Sequence, residues 1–264
     1  MAVSPVIARI LNQFGLSSLI PWASNAMIMG WSDDQLLLEL YERPEFNNRF
    51  PAIKQLEAQG KLAPSPEQYI EYENTLRAAG RMWGMDVTQD EINRLIANGV
   101  SPAEAQERMN IVGAATYEAA PETRSSLERL YGISQGDFMH YWMDPKNTLG
   151  RLQQQFRTGQ IAGAAMRTNK MQLTVQEAER LAGTGMSENQ AVSSFGELMK
   201  MEELFHALSG NESEISQASQ IEFLAGDTSV GKEVEKRASE RKAEFAGGSG
   251  YGANEEGFAV GAAS

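Results

Sequence analysis

The 264-residue sequence contains no cysteine. That absence removes disulfides, thiolate metal sites and cysteine nucleophiles together, and leaves the chain indifferent to the redox state of its compartment. Only two histidines are present, His140 and His206, so any imidazole-based site draws on a very small pool. Basic residues are short as well: 23 Lys and Arg stand against 35 Asp and Glu, a formal charge of −12. An excess of that sign opposes the phosphate neutralisation on which sequence-independent nucleic-acid binding rests. Long apolar runs are missing too, and the nearest candidate, Leu19 to Trp31, is too short and too interrupted to span a bilayer. No basic region precedes an apolar one at the N-terminus, which predicts a soluble chain made in the cytosol without a secretory leader. Alternating β-branched runs are nearly absent, so strands are not expected.

What the sequence does have is recurrent helix punctuation. Glycine, an apolar residue, Ser or Thr, two residues and then Glu or Gln occur at Gly30-Trp31-Ser32 with Gln35, Gly99-Val100-Ser101 with Glu104, and Gly185-Met186-Ser187 with Gln190. Without the glycine the pattern returns at Val87-Thr88 with Glu91 and Leu173-Thr174 with Glu177. Glycine tolerates the left-handed conformation that ends one helix, the hydroxyl caps the free N–H groups of the next, and Glu or Gln reaches back to close a capping box. Apolar residues then recur at three and four, as in Leu36, Leu37, Leu40 and Tyr41, or Phe195, Leu198 and Met199. Prolines at 44, 51, 64, 66, 102, 121 and 145 break helices or occupy their first turns.

These signals predict an all-α fold, an irregular array of short helices joined by Gly and Pro corners, with a flexible Gly-rich C-terminal arm. The caps are unevenly spaced, so no repeat of fixed length is expected. Three segments are predicted: a helical domain over 1–209, a polar linker and mixed-charge helix over 210–246, and a Gly/Ala-rich arm over 247–264. An arm of that composition buries too little surface to offset its ordering entropy alone.

Chemical motifs are weak. Gly226 to Gly231-Lys232 has the outline of a phosphate-cradling loop, but Glu233 stands where a Mg²⁺-holding hydroxyl belongs, so a solvated turn before a helix is expected. Glu203 with His206, and Asp137 with His140, share the spacing of di-iron ligands without the bridging acids such a site needs. Glu128 and Asp137 could serve as a muramidase pair only if one carboxyl lay in an apolar pocket, and nothing local marks either residue that way. No catalytic residue, cofactor or metal is therefore predicted. Residues 1–31 carry one charged side chain, Arg9, among many large apolar ones. They read as a hairpin inside the chain's own core, as a docking segment for another subunit, or as a membrane-inserting segment. On the docking reading the partner-binding residues are Ile7, Ile10, Phe14, Leu19, Trp22, Met27 and Trp31, joined by Phe245, Tyr251, Phe258 and Val260 at the other terminus.

Several segments carry a family resemblance. They are Phe14-Gly15-Leu16 with Gly30-Trp31-Ser32, Arg43-Pro44-Glu45-Phe46 through Arg49-Phe50-Pro51, and Val100-Ser101-Pro102-Ala103-Glu104 through Glu107-Arg108. Asp144-Pro145, Gln160-Ile161-Ala162-Gly163-Ala164-Ala165 and the ending Arg241 to Phe245 followed by Gly247-Gly248 complete the set. Together they resemble a family of virion-associated proteins of tailed bacteriophages. The resemblance implies a non-enzymatic structural protein of the head–tail connector, neck or tail region, localised in the virion and partnered by other virion proteins in a symmetric multi-copy assembly. An internal protein ejected with the genome towards the host envelope is the alternative, and a virion-associated muramidase the second. The resemblance brings no catalytic residues.

Overall fold

The computed structural model describes residues 4–207 and 213–247. Among them lie sixteen α-helices and no strand, the all-α array of short helices that the sequence predicts. The chain divides into two compact units, Met1–Gly163 and Ala164–Ser264. That boundary falls within the expected 1–209 domain and inside a helix, where no change of composition marks it.

The first unit holds α1 (Pro5–Gln13), α2 (Ile20–Ile28), α3 (Asp33–Glu42), α4 (Pro44–Arg49), α5 (Pro51–Ala58), α6 (Pro66–Met82), α7 (Gln89–Ala97), α8 (Pro102–Gly113), α9 (Pro121–Tyr131), α10 (Phe138–Trp142) and most of α11 (Leu149–Asn169). Proline opens six of these, α1, α4, α5, α6, α8 and α9, because its fixed φ suits the first helical position and its missing N–H would have no partner there. The core is aromatic near α4 and α6: Phe50 lies 5.7 Å from Phe14, 5.0 Å from Phe46 and 5.3 Å from Tyr69 between ring centroids. α9 and α11 approach so closely that a Cβ on Gly163 would sit 2.6 Å from the Thr123 main-chain N.

The second unit holds the end of α11, then α12 (Val175–Gly183), α13 (Glu188–Lys200), α14 (Glu202–Phe205), α15 (Gln217–Leu224) and α16 (Thr228–Gly247). Leu173, Leu181, Phe195, Leu198, Ile221 and Val234 are buried in it. Buried arginine ties α16 to the chain before α15: Arg237 donates to the Leu204 and Ser213 carbonyls at 3.2 and 2.6 Å while Glu233, one turn earlier, accepts from it at 3.0 Å. Arg108 does the same in the first unit, paired with Glu104 and donating to the carbonyls of Trp142, Asp144 and Asn147.

All five expected caps form, at Ser32, Thr88, Ser101, Thr174 and Ser187. No repeat of fixed length runs along the chain, but a three-helix module recurs at unequal intervals. Six of the left-handed residues fall into pairs fifteen residues apart, Gly15 and Gly30, Gly84 and Gly99, and Lys170 and Gly185, while Gly60, Gly132 and Gly226 stand alone. Each pair brackets the middle helix of a three-helix module: α1–α3, α6–α8 and α11–α13. Residues 78–109 and 164–195 align without a gap and are identical at Ala78/Ala164, Ala79/Ala165, Arg81/Arg167, Met85/Met171, Thr88/Thr174, Glu91/Glu177, Arg94/Arg180, Leu95/Leu181, Gly99/Gly185, Ser101/Ser187 and Ala105/Ala191. The first module keeps only the conformational residues of the second, Gly15, Gly30 and Ser32. Yet burial coincides across all three. Ala23, Ile92 and Ala178, then Ala26, Leu95 and Leu181, then Leu36, Ala105 and Ala191, then Leu40, Met109 and Phe195 are each at most 5% exposed.

Lys170, at φ 53°, is the one non-glycine residue in a left-handed conformation among the described residues. A left-handed L-residue costs about 1–2 kcal/mol, partly offset by the lower unfolded-state entropy of a side chain over glycine. Lys170→Gly is therefore expected to stabilise the chain by about 0.5–1 kcal/mol in urea unfolding, and the reverse change, Gly84→Lys, to destabilise it by a similar amount.

Candidate functional site

The N-terminal segment was the principal candidate, and the structure divides its residues into three groups. Ile7, Phe14 and Leu19 are buried, at 3% exposure each. Their assignment to partner binding is corrected: they turn inward, with Phe14 edge-on to Phe50 in the unit's own core. Ile10, Trp22 and Met27 are half-buried against that same core, and the Arg43 guanidinium lies 4.5 Å over the Trp22 ring. Trp31 alone of the seven is on the surface. At the other terminus, Phe245 lies on α16 with its side chain outside the described residues, and Tyr251, Phe258 and Val260 are outside them altogether.

The surface beside Trp31 is built by residues the sequence reading did not select. The Ser4 hydroxyl donates to Asp33 at 3.0 Å and the Ser4 N–H donates to Met27 Sδ at 3.2 Å, which draws the start of α1 to the corner between α2 and α3. Around that corner Ile28 and Met29 are 60% and 77% exposed, and Leu38, on α3, is 74% exposed. Leu38 shares its helix face with Tyr41, also exposed, and with Asp34 and Glu42, which lie one turn to either side. Of the four acids between Ile10 and Glu42, Asp33 accepts from Ser4 and Glu42 pairs with Lys54 at 2.8 Å, while Asp34 and Glu39 are exposed and form no ion pair among the described residues. The site is thus an apolar corner with an acidic rim, placed by a left-handed turn at Gly30 and a Ser32–Gln35 capping box with bonds of 2.9 and 3.2 Å.

The other motifs resolve into structural roles. Gly226, at φ 97°, ends α15, and Asp227 caps α16 by accepting from the Ser229 N–H and O–H at 2.7 and 2.6 Å. Those bonds hold its carboxyl below the usual range. Residues 228–233 are helical, so no phosphate-sized loop exists there. Glu128, Asp137, His140 and His206 are all exposed. Among the described residues no group of three His, Asp or Glu side chains converges as metal ligands would.

Two further features lie in the first unit, a buried polar network and an open groove. Buried Glu73 accepts from both terminal nitrogens of Arg49 at 2.6 and 2.7 Å and from Gln89 Nε2 at 2.6 Å. Gln89 reaches on to Asn93 Oδ1 at 2.9 Å, which also accepts from the Tyr69 hydroxyl at 2.5 Å. This network locks α4, α6 and α7 together. On the far side of Tyr69 an open groove of about 460 Å³ is lined by Leu56, Ala63, Tyr72, Ile96, Val100 and Pro102. It is apolar, without converging charged groups. No family model, curated protein or solved structure matches the chain.

Burial, reinforced by the charge of Glu73, pushes the Tyr69 phenol up to about 12, and burial raises Tyr72 as well. Both stay neutral in the folded chain at a pH where the unfolded chain ionises them. Stability from this source is complete below about pH 10 and is lost as the pH rises from there through about 12. Thermal melts between pH 9 and 11.5 are expected to show a falling midpoint, and Tyr69→Phe should flatten that slope while costing about 1 kcal/mol at neutral pH for the lost bond to Asn93. An unchanged slope would show that Tyr69 titrates normally.

Proposed function

We propose that the chain is a non-enzymatic structural component of a tailed-phage virion, a minor protein of the head–tail connector, neck or tail region that acts through contacts with other virion proteins. The observation that carries this reading is the corner at Ile28, Met29, Trp31 and Leu38, where large apolar side chains left in water are clustered along the chain, while others such as Leu62 and Met82 stand singly. Exposed apolar surface of this kind gains about 25 cal/mol per Å² when a neighbour covers it, and it marks surfaces that work by binding. The family resemblance across the chain supplies the particle as the setting.

An ejected protein that meets the host envelope would use the same corner. The unpaired acids Asp34 and Glu39 weigh against that alternative, because an anionic leaflet repels them. The muramidase reading has less support, since Glu128 and Asp137 are both exposed and neither occupies the apolar pocket that raises a catalytic carboxyl.

The test is localisation. In gradient-purified particles of the phage that encodes it, the chain is expected at a constant ratio to other virion proteins by quantitative mass spectrometry, retained through a high-salt wash. Recovery only in the particle-free fraction would overturn the proposal. Clearing of a peptidoglycan gel that disappears in Glu128→Gln would replace it with the muramidase reading.

A further inference from the structure

The three modules differ in one respect. In the second, α5 packs against the middle helix α7, and Pro51, Ala52 and Gln55 line a cavity of about 500 Å³ with Asp90, Asn93, Arg94 and Ala97. In the third, α15 packs against the middle helix α12, where Arg180 pairs with Glu222 at 3.1 Å and Gln217 Nε2 reaches Glu177 at 3.3 Å. Arg94 and Arg180 occupy the same module position, so an added helix lies along the same side of both middle helices. The corresponding helix of the first module, α2, packs on α1 and on the short turn at Ser17–Leu19. Its residue equivalent to Ala97, which is 6% exposed, is Ile28, which is 60% exposed.

The modules also provide an internal control on what the fold requires. Ile28 corresponds to Ala97 and Gly183, Met29 to Asn98 and Thr184, and Leu38 to Glu107 and Ser193. Two modules with the same turns, caps and buried positions are built with small or polar residues at these places. The large apolar side chains of the first module are not needed to make the module, and their exposure asks for a cover.

We propose that the outer face of α2, with the turn into α3, seats an amphipathic helix supplied by another protein, lying where α5 lies on α7 and where α15 lies on α12. α5 and α15 are eight residues each, so about two turns suffice, with apolar residues at the spacing of Ala52, Ile53 and Leu56 on α5. The flank of the incoming helix is basic. Asp34 and Glu39 are exposed and form no ion pair among the described residues, whereas Glu42 is paired with Lys54 at 2.8 Å and the Arg43 guanidinium lies over the Trp22 ring. A second copy of the chain, at −12, would bring like charge to the same corner. The inference rests on the reading that the chain works through protein contacts and adds the surface and the chemistry of the partner.

The probe is a synthetic helical peptide of about 18 residues with leucine on one face and lysine on the other, titrated into the full chain by calorimetry and tryptophan fluorescence. A peptide of the same leucine pattern with glutamate for lysine is the control. Saturable one-to-one binding of the Leu/Lys peptide is expected, at least about tenfold tighter than the control and weakened by about tenfold or more between 0.05 and 0.5 M salt. Ile28→Ala, Met29→Asn and Leu38→Glu together, each the residue of the second module, should leave the melting temperature within a few degrees and weaken binding about tenfold or more. If that variant fails to fold, Met29→Asn alone should weaken binding by at least about threefold. Equal binding of the Glu control, binding untouched by the substitutions, or a wild-type dimer that the substitutions dissolve would each overturn the proposal. So would binding to phosphatidylglycerol vesicles with none to the peptide. Peptide binding by a chain absent from particles would leave this inference standing and sink the virion reading; particle residence without peptide binding would do the reverse.

Discussion

The structure depends on how the ends of short helices are closed. Isolated helices shorter than about 12–15 residues are marginal in water. Most helices here are shorter than that, with α6, α11, α13 and α16 reaching 13 residues or more. Each end leaves main-chain groups that must find partners, and in this chain the same local device supplies them repeatedly. A left-handed residue at Gly30, Gly99 or Gly185 returns the final N–H groups to the helix just ended, and the Ser two residues later caps the next. Because the device is only a few residues long, it also fixes the angle between consecutive helices.

Where no cap is available, arginine takes over. Arg108 and Arg237 are each nearly inaccessible to solvent, and each spreads its N–H groups over carbonyls at the end of a short helix and in the chain that follows it. A buried guanidinium is tolerable only when its charge and most of its donors are met, and Glu104 and Glu233, one turn earlier, supply the counter-charge. Glu104 shows the cost of that duty. Its module counterparts Gln35 and Gln190 close reciprocal capping boxes, whereas Glu104 is committed to Arg108 and only the Ser101 half of the box forms. The Arg49–Glu73 pair follows the same logic between α4 and α6. Removing Arg49 would leave the buried Glu73 carboxylate without its counter-charge, a loss of about 3–5 kcal/mol.

Helix starts could be read from the sequence because a cap is a local event: Ser or Thr, then Glu or Gln, decides it within four residues. The start at Ser65 with Gln68 obeys the same rule, and it was obscured by Pro64 and Pro66 on either side, which read as a break. The repeat could not be read the same way. The modules are offset by unequal amounts because α4 and α5 separate the first from the second, while α9 and α10 separate the second from the third. Capping signatures taken in order therefore look irregular. Burial was the least readable property. α2 is apolar on nearly every side, so no helical phase distinguishes Ala23 and Ala26, which are buried, from Ile28, which is open. The inward turn of Ile7, Phe14 and Leu19 depends on Phe50 and its neighbours, far along the chain, and no local pattern encodes that contact.

A repeated module makes one chain its own comparison set. When the same backbone position is filled three times, residues that recur are those the module needs, and residues that differ are free for other uses. Gly30, Gly99 and Gly185, and the serines two positions on, belong to the first class, because the turn and the cap admit few alternatives. Met29, Asn98 and Thr184 belong to the second, and there the choice of residue reports the surroundings. An asparagine or threonine at the end of a helix is content in water. A methionine 77% exposed at the same position gives up hydration free energy that burial would return, and the module does not bury it. Since the turn and the cap are common to all three, the difference at this position lies outside them, on the open side where the proposed partner helix would lie.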